Sequence, residues 1–185
     1  MSKEKNNSQE EKTINSQTIY EGNIIKIRKD EVLLSNDNHS EREIVEHSGG
    51  VTILALSDDD RILMVEQFRK AAEESLLELP AGKLEKGEDP LECAKRELIE
   101  ETGFEASNIK HLFSFYTTPG FCDEIIHLYL ASNLKNVGIN PDDDEILINH
   151  SIEKGDIMEM IRDGRIKDAK TIIGLQQYLL GGFDA

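Results

Sequence analysis

The chain has 185 residues, of which 38% are hydrophobic and 31% charged, and its formal net charge is −16 at pH 7. This composition is that of a folded globular protein, and a chain of this length buries about 70% of its unfolded surface, enough to fold without disulfide bonds. The negative charge argues against non-specific binding to nucleic acid and to anionic membranes, so we predict no nucleic acid and no membrane as partners.

The compartment is predicted from two further features. The first residues, MSKEKNNSQEEK, include no apolar segment of the kind that signal peptides carry. The two cysteines, Cys93 and Cys122, form no CxxC pair and indicate no disulfide framework. We therefore expect a protein of the cytoplasm, where thiols stay reduced.

The N-terminal quarter changes character near residue 17. Residues 1–16 are polar and lack hydrophobic periodicity, so we predict a disordered tail there. Residues 17–48 predict strands on either side of a turn at Gly22 and Asn23, followed by a further strand in EREIVEH. We accordingly divide the chain into the tail, an N-terminal β segment at 17–48 and a second domain at 49–182.

The second domain opens with two apolar runs, VTILAL and RILMVEQF. They are joined by Ser57 and three aspartates, which is typical of a β-hairpin. A glycine-containing loop at residues 82–87 then leads to a predicted helix. Either Glu88 or Asp89 suits the helix N-cap, Pro90 suits the first helical position and Gly103 suits the stop.

The remainder of the chain predicts more strands and then helices. Strands are expected at residues 111–117 and 125–131, then an acidic loop at 141–145 with a strand after it, and helices at 153–163 and 168–180. Strands on both sides of a central helix, with helices last, predict an α/β (α+β) protein whose mixed sheet has helices packed on it.

The central helix ends in RELIEETG, which places three glutamates in its last turn. Each misplaced charge at this negative end of the helix dipole costs about 0.3–1 kcal/mol. Like charges three or four residues apart cost about 0.2–0.5 kcal/mol per pair. Helical periodicity stacks Glu97 and Glu101 at the border of the apolar stripe formed by Leu91, Ala94 and Leu98. Clustered carboxylates suit a hard divalent cation such as Mg²⁺, and the alternative is a solvated acidic helix end.

The spacing of residues 82–104 decides between these alternatives. Gly82, Glu88, the Arg96-Glu97-Leu98 run, the Glu100-Glu101 pair and Gly103-Phe104 fill every fixed position of the pattern G-x5-E-x7-R-E-U-x-E-E-x-G-U, where U is bulky and apolar. The sequence therefore resembles the Nudix hydrolases. The resemblance implies the Nudix fold, a mixed β-sheet sandwiched between helices, and Mg²⁺- or Mn²⁺-dependent cleavage of a nucleoside diphosphate linked to another moiety.

The resemblance also implies roles for individual residues. The metal ligands would be Glu97, Glu101 and the backbone carbonyl of Ala81, and Glu100 would assist at the catalytic centre. Arg96 would pair with glutamates of the same motif, and Glu88 would brace the turn that leads into the helix.

Several other segments resemble the ADP-ribose pyrophosphatase subgroup. They are EHSGGV, EQFR, ELPAG, TTPG and the acidic loop DDDEI. By this resemblance Arg69 contacts phosphate or the adenine-ribose half, since a guanidinium donates two bonds to phosphate, although it could simply end a strand at the surface. Glu78 binds substrate or caps a turn, and Pro119 shapes the wall of the substrate pocket.

The acidic loop supplies the expected general base. In the subgroup a glutamate on this loop reaches the site and acts as the general base or as a further metal ligand. Glu145 is the glutamate of the run here, with Asp144 as the reserve. A base must come within hydrogen-bond reach of the attacking water, and an aspartate side chain is one methylene shorter.

The subgroup resemblance finally implies a homodimer, whose N-terminal β segments exchange between subunits and complete both pockets. The expected reaction is hydrolysis of ADP-ribose to AMP and ribose 5-phosphate. The alternatives are another nucleoside diphosphate sugar such as GDP-mannose, a dinucleotide such as NADH or diadenosine polyphosphate, a non-specific phosphatase, and a ligand sensor without catalysis.

Overall fold

The computed structural model of the chain describes residues 9–139 and 146–181 and separates into two compact units. Among these residues, one unit contains 9–48 together with Thr118–Glu124, and the other contains Gly49–Thr117, 125–139 and 146–181. No helix among the described residues is long and apolar enough to cross a membrane.

The first unit is built on a three-stranded antiparallel sheet. Its strands are β1 (Lys12–Glu21), β2 (Ile25–Leu33) and β3 (His39–His47), paired in that order. The turn between β1 and β2 is the predicted one, and the Gly22 N–H donates to the Ile25 carbonyl at 3.0 Å.

The predicted tail extends too far along the chain, because β1 already begins at Lys12. All ten residues of β1 are exposed, so the strand has no buried face. Its sequence therefore lacks the alternation of apolar and polar residues that predicts a strand. The strand is instead defined by its pairing with β2, in which Lys12 lies opposite Leu33. The part of the tail prediction that concerns residues 1–8 lies outside the described residues.

The second unit is built on a seven-stranded mixed sheet. The strands along its main path lie in the order β10-β5-β4-β9-β8, and β6 and β7 pair with β5 and β4. The bounds are β4 (Gly50–Leu56), β5 (Arg61–Arg69), β6 (Glu74–Glu78), β7 (Ala81–Lys83), β8 (Phe104–Tyr116), β9 (Ile125–Asn136) and β10 (Ile148–Glu153). The β4–β9 pair is parallel and the other pairs are antiparallel.

Helices cover both faces of this sheet, as the sequence predicts. The helices are α1 (Pro90–Thr102), α2 (Ile157–Arg162), which follows a short 3-10 turn, and α3 (Ala169–Leu179). Val51, Ile53 and Ala55 pack with residues of α1, whereas the alternate residues Leu54 and Leu56 pack with residues of α2 and α3. The whole of β4 is consequently buried, as expected for a strand covered on both faces.

Two features of this unit differ from the prediction. The segment predicted as a loop from residue 82 begins inside the short strand β7, which pairs with β4 at Gly50–Thr52. Strands β8 and β9 are also longer than predicted, since β8 starts directly after the helix. These additional residues are mostly polar or half-exposed, so backbone pairing rather than side-chain periodicity defines them.

Candidate active site

Helix α1 begins and ends at the residues that the sequence predicts. Asp89 is the N-cap, and its carboxylate accepts the Leu91 N–H at 2.9 Å, while Pro90 occupies the first turn. Gly103 closes the helix in the left-handed conformation at φ 76°, where its N–H donates to the Ile99 carbonyl at 2.8 Å. The caps therefore fix where the last-turn glutamates lie on the unit.

Two of these glutamates point into the protein. Glu97 is 7% exposed and Glu101 is 1% exposed, and both share the buried face of α1 with Cys93, Ala94 and Leu98. The sequence predicts both side chains at the border of the apolar stripe, and the structure shows them buried there, which excludes the alternative of a solvated acidic helix end. Buried carboxylates require compensating partners, because isolated burial of a charge is costly.

Arg96 supplies much of that compensation. Its guanidinium donates to Glu88 through Nε at 3.0 Å, and its Nη1 donates to Glu97 and Glu100 at 2.8 Å each. The hydrogen bond from Arg96 is the largest cause that lowers the pKa of Glu88 to about 2. The pairing of Arg96 with glutamates of its own motif is thus present, and one cation relieves the repulsion among three carboxylates.

Glu88 also braces the turn before the helix, as the sequence predicts. One of its carboxylate oxygens accepts the backbone N–H of Glu85 at 2.9 Å, in addition to the bonds from Arg96. The turn and the helix are therefore joined through a single carboxylate.

The backbone of residues 80–82 lies against the two buried glutamates. The Ala81 N–H donates to Glu101 Oε2 at 2.9 Å, and the Pro80 carbonyl accepts the Ile53 N–H at 2.8 Å. A Cβ added to Gly82 would lie 1.8 Å from Cδ of Glu97, so only glycine fits there without displacing the carboxylate. The structure therefore brings Ala81, Glu97 and Glu101 together.

The donor chemistry of this site suits a hard divalent cation. Among residues 9–139 and 146–181, no group of three or more His, Cys, Asp or Glu side chains is placed to hold a metal ion. The assembled set is smaller, two carboxylates and the adjoining main chain. Mg²⁺ is commonly bound by one or two carboxylates together with substrate phosphate oxygens, so this set fits it.

Arg69 and Glu78, both predicted as substrate contacts, bind each other. Arg69 donates to the two oxygens of Glu78 through Nε at 2.7 Å and Nη2 at 2.8 Å. Lys170 of α3 donates to the same Glu78 carboxylate, which is only 1% exposed. The pKa of Arg69 is raised, first by the hydrogen bond to Glu78 and further by the charges of Glu101 and Asp168. The Glu78 carboxylate therefore forms ion pairs with both Arg69 and Lys170, while 39% of the Arg69 side chain remains exposed.

The other predicted site residues fall elsewhere. Glu100 is half-buried and bound to Arg96. Pro119 lies in the segment Thr118–Glu124 of the first unit, where Phe121 and Asp123 bond to the backbone of Val45. Glu145 and Asp144 lie outside the described residues.

The sequence prediction did not include contacts of helix α3 with the residues next to the site. Besides Lys170, the Thr171 hydroxyl accepts the Leu79 N–H at 2.9 Å, so the first turn of α3 contacts the chain directly before Ala81. These residues are separated from Glu78 and Leu79 by 92 positions, and no local pattern signals such a contact.

Cys93 does not contribute a nucleophile. Its side chain is fully buried, and this burial raises the pKa of the thiol to about 12. A protonated, buried thiol is inert, which confirms the packing role expected of it.

Comparisons with known proteins agree with this geometry. Residues 46–160 match the family model described as the NUDIX domain, and residues 11–45 match the nucleoside diphosphate sugar hydrolase N-terminal domain. The chain is 47% identical over 169 residues to the methanol dehydrogenase activator of Bacillus methanolicus, covering 90% of this chain and 91% of the relative. It is 43% identical over 171 residues to the ADP-ribose pyrophosphatase of Bacillus subtilis (strain 168), covering 91% and 92%.

A solved structure shares the fold. The crystal structure of an ADP compounds hydrolase superposes with a TM-score of 0.82 at 21% sequence identity, over 94% of this chain and 96% of that one. The filled motif, the buried glutamates on α1 and the family match lead to one conclusion: the chain belongs to the Nudix family of hydrolases.

Proposed function

We propose that the protein hydrolyses the pyrophosphate of ADP-ribose to AMP and ribose 5-phosphate, with Mg²⁺ or Mn²⁺ as its cofactor. The observation that carries this proposal is the pair of buried carboxylates, Glu97 and Glu101, held against residues 80–82 on the motif helix. The 43% identity to a relative named ADP-ribose pyrophosphatase supports the choice of substrate.

The metal would be held by Glu97, Glu101 and the Ala81 carbonyl. When bound, such an ion neutralises charge on phosphate oxygens and lowers the pKa of a coordinated water. The chain itself keeps the two carboxylates in place: Arg96 fixes Glu97, and the Ala81 N–H fixes Glu101. The positive charge of Arg96 offsets the repulsion between Glu97 and its neighbouring carboxylates, so these groups stay close together before a cation binds.

The remaining chemistry needs a base and an anion-binding group. Glu145, or Asp144 in reserve, would take the proton from the water that attacks phosphorus, and Glu100 would assist. Arg69, whose side chain is partly exposed, would contact the diphosphate, since a planar guanidinium suits phosphate. Glu78 holds Arg69 through both of its carboxylate oxygens. The subgroup resemblance implies that Pro119 would shape the wall of the substrate pocket.

We also propose a cytoplasmic homodimer. Strand β1 is an edge strand of its sheet and exposes Ile14, Ile19 and Tyr20, each at least 48% accessible. A long exposed edge strand with apolar side chains is a ready site for pairing with a second chain. Light scattering at micromolar concentration tests this proposal, and a monomeric mass would contradict it.

A substrate panel tests the proposed reaction. Purified protein with Mg²⁺ is assayed for release of AMP and phosphomonoester from ADP-ribose, GDP-mannose, diadenosine polyphosphates and NADH. E101Q serves as the inactive blank. E92Q is the matched control, because Glu92 lies exposed on the same helix and pairs only with Lys95 among the described residues. We expect ADP-ribose to be preferred; a different preferred substrate would retain the Nudix chemistry and refute the specificity.

A second candidate function is suggested by the relative named methanol dehydrogenase activator. It is tested by adding the wild type and E101Q to a methanol dehydrogenase assay. Activation by both proteins would indicate a function independent of the motif, and activation by the wild type alone would link it to hydrolysis. Tight ligand binding without turnover of any compound would instead favour the sensor, against which the complete motif argues.

A further inference from the structure

We propose that Lys170, in the first turn of helix α3, is a positioning residue that keeps Arg69 available to an anionic diphosphate. The inference rests on the proposed function, in which Arg69 contacts phosphate. It assigns a role in substrate affinity to a C-terminal helix that lies outside the Nudix motif.

Lys170 and Arg69 share one carboxylate, that of Glu78. Glu78 Oε2 accepts from both Arg69 Nη2 and Lys170 Nζ, and Oε1 accepts from Arg69 Nε. Lys170 Nζ also lies 3.0 Å from Asp168 Oδ1. Four charged side chains thus form a continuous chain from the N-cap of α3 to Arg69 at the end of β5.

Lys170 lies in the first turn of α3, where the helix dipole favours anions and disfavours cations. Its side chain is only 15% exposed, and burying a lysine is unfavourable unless it is paired. Helix stability therefore gives no reason for a lysine at this position, whereas the buried Glu78 carboxylate does.

The group is neutral with Lys170 in place, because Arg69 and Lys170 carry two positive charges and Glu78 and Asp168 carry two negative ones. Without Lys170 the group would carry one net negative charge. Glu101 adds a further carboxylate that acts on Arg69. The charges of Glu78, Glu101 and Asp168 would then act on the guanidinium without the offsetting charge of Lys170, and its attraction for phosphate would fall.

The backbone contact in the same turn gives this group a fixed position. The Thr171 N–H donates to Asp168 Oδ2 at 2.9 Å, and the Thr171 hydroxyl accepts the Leu79 N–H. Glu78, which Lys170 binds, directly precedes Leu79 in the chain. The carboxylate that orients Arg69 is therefore held through both its side chain and its neighbouring backbone.

The test is a set of charge variants assayed for kcat and KM with ADP-ribose and Mg²⁺. K170M should raise KM by about tenfold with a smaller change in kcat, because charges at a partly buried site interact across several Å. K170R retains the charge and should restore KM to within about threefold of the wild type. D168N removes one negative charge and keeps the capping oxygen, so it should lower KM. The double variant K170M/D168N should recover much of the affinity that K170M loses.

The matched control is K167M. Lys167 forms an exposed ion pair with Glu74 at 2.7 Å, and its removal changes the net charge of the protein by the same amount. The proposal is overturned if K170M behaves as K167M does, if D168N leaves KM unchanged, or if the double variant is no better than K170M. D168N decides the question even if K170M does not fold.

Failure of this inference is distinguishable from failure of the proposed function. If E101Q abolishes turnover while K170M, K170R, D168N and the double variant all keep the wild-type KM, the hydrolase activity is supported and the proposed role of Lys170 is wrong. If the wild type does not hydrolyse ADP-ribose, the proposed function itself fails.

Discussion

Replacing Gly82 with alanine tests the contact between the β7 segment and the motif helix. The added Cβ would lie 1.8 Å from Cδ and Oε1 of Glu97 and 2.4 Å from its Cγ. Non-bonded carbon atoms in contact are about 3.5–4.0 Å apart, so the carboxyl group would have to move by about 1.7–2.2 Å. Glu97 Oε1 also accepts from Arg96 Nη1 at 2.8 Å, so a movement of this size would disturb that ion pair as well.

The expected cost follows from that displacement. Overpacking a buried position costs about 1–3 kcal/mol of unfolding free energy. A displacement of about 1 Å of a group that holds the reacting centre can lower turnover about 100-fold. We therefore expect G82A to fold with a lowered Tm and to lose at least about 100-fold in kcat with ADP-ribose.

Two other glycines provide the controls. A Cβ at Gly155 meets nothing within 4 Å, so G155A should change neither stability nor turnover appreciably. Gly87 also has space but lies at φ +80°, so G87A should lower stability by about 1 kcal/mol and leave turnover near that of the wild type. Thermal unfolding and steady-state kinetics of the three variants check this. Wild-type kcat in G82A would refute the argument that Glu97 must occupy this position.

Three further predictions concern the surroundings of the site. R96M should lower the unfolding free energy by about 1–3 kcal/mol, measured by urea unfolding, because it leaves partly buried carboxylates uncompensated. Wild type should be more stable than E88Q at pH 7, and this difference in unfolding free energy should decline as pH falls from about 4.5 towards about 2. The lowered pKa of Glu88 requires this sign, and a difference that grows in acid would contradict it. Cys93 should resist alkylation in the native protein at pH 8 and react after denaturation, since its thiol is buried and protonated; rapid native labelling would contradict its burial.

Local patterns in the sequence were sufficient to predict the β4–β5 hairpin and the helix α1 of the second unit. The β4–β5 hairpin follows from two apolar runs around a polar turn, and the bounds of α1 follow from Asp89, Pro90 and Gly103. The motif spacing identified the glutamates that the structure places beside Ala81. In each case the information lies within one element or one motif, which is why a pattern can capture it.

Contacts between distant parts of the chain could not be predicted in this way. The burial of Glu101 depends on the Ala81 N–H from β7, a strand of three residues that is too short for any periodicity. The ion pair of Lys170 with Glu78 joins residues 92 positions apart. Strand β1 was missed at its start because its pairing with β2, and no buried face, defines it. The assignment of Glu145 as the base, which lies outside the described residues, stays a prediction.

The most direct test of the account is the turnover of ADP-ribose by wild type, E101Q and E92Q with Mg²⁺, measured as AMP release. Glutamine preserves the size of Glu101 and an acceptor for the Ala81 N–H, but it removes the negative charge that a metal requires. We predict rapid AMP release by wild type and E92Q, and at least about a 100-fold lower kcat for E101Q with a Tm close to that of wild type. Equal turnover by E101Q and wild type would contradict the assignment of this buried carboxylate as a metal ligand.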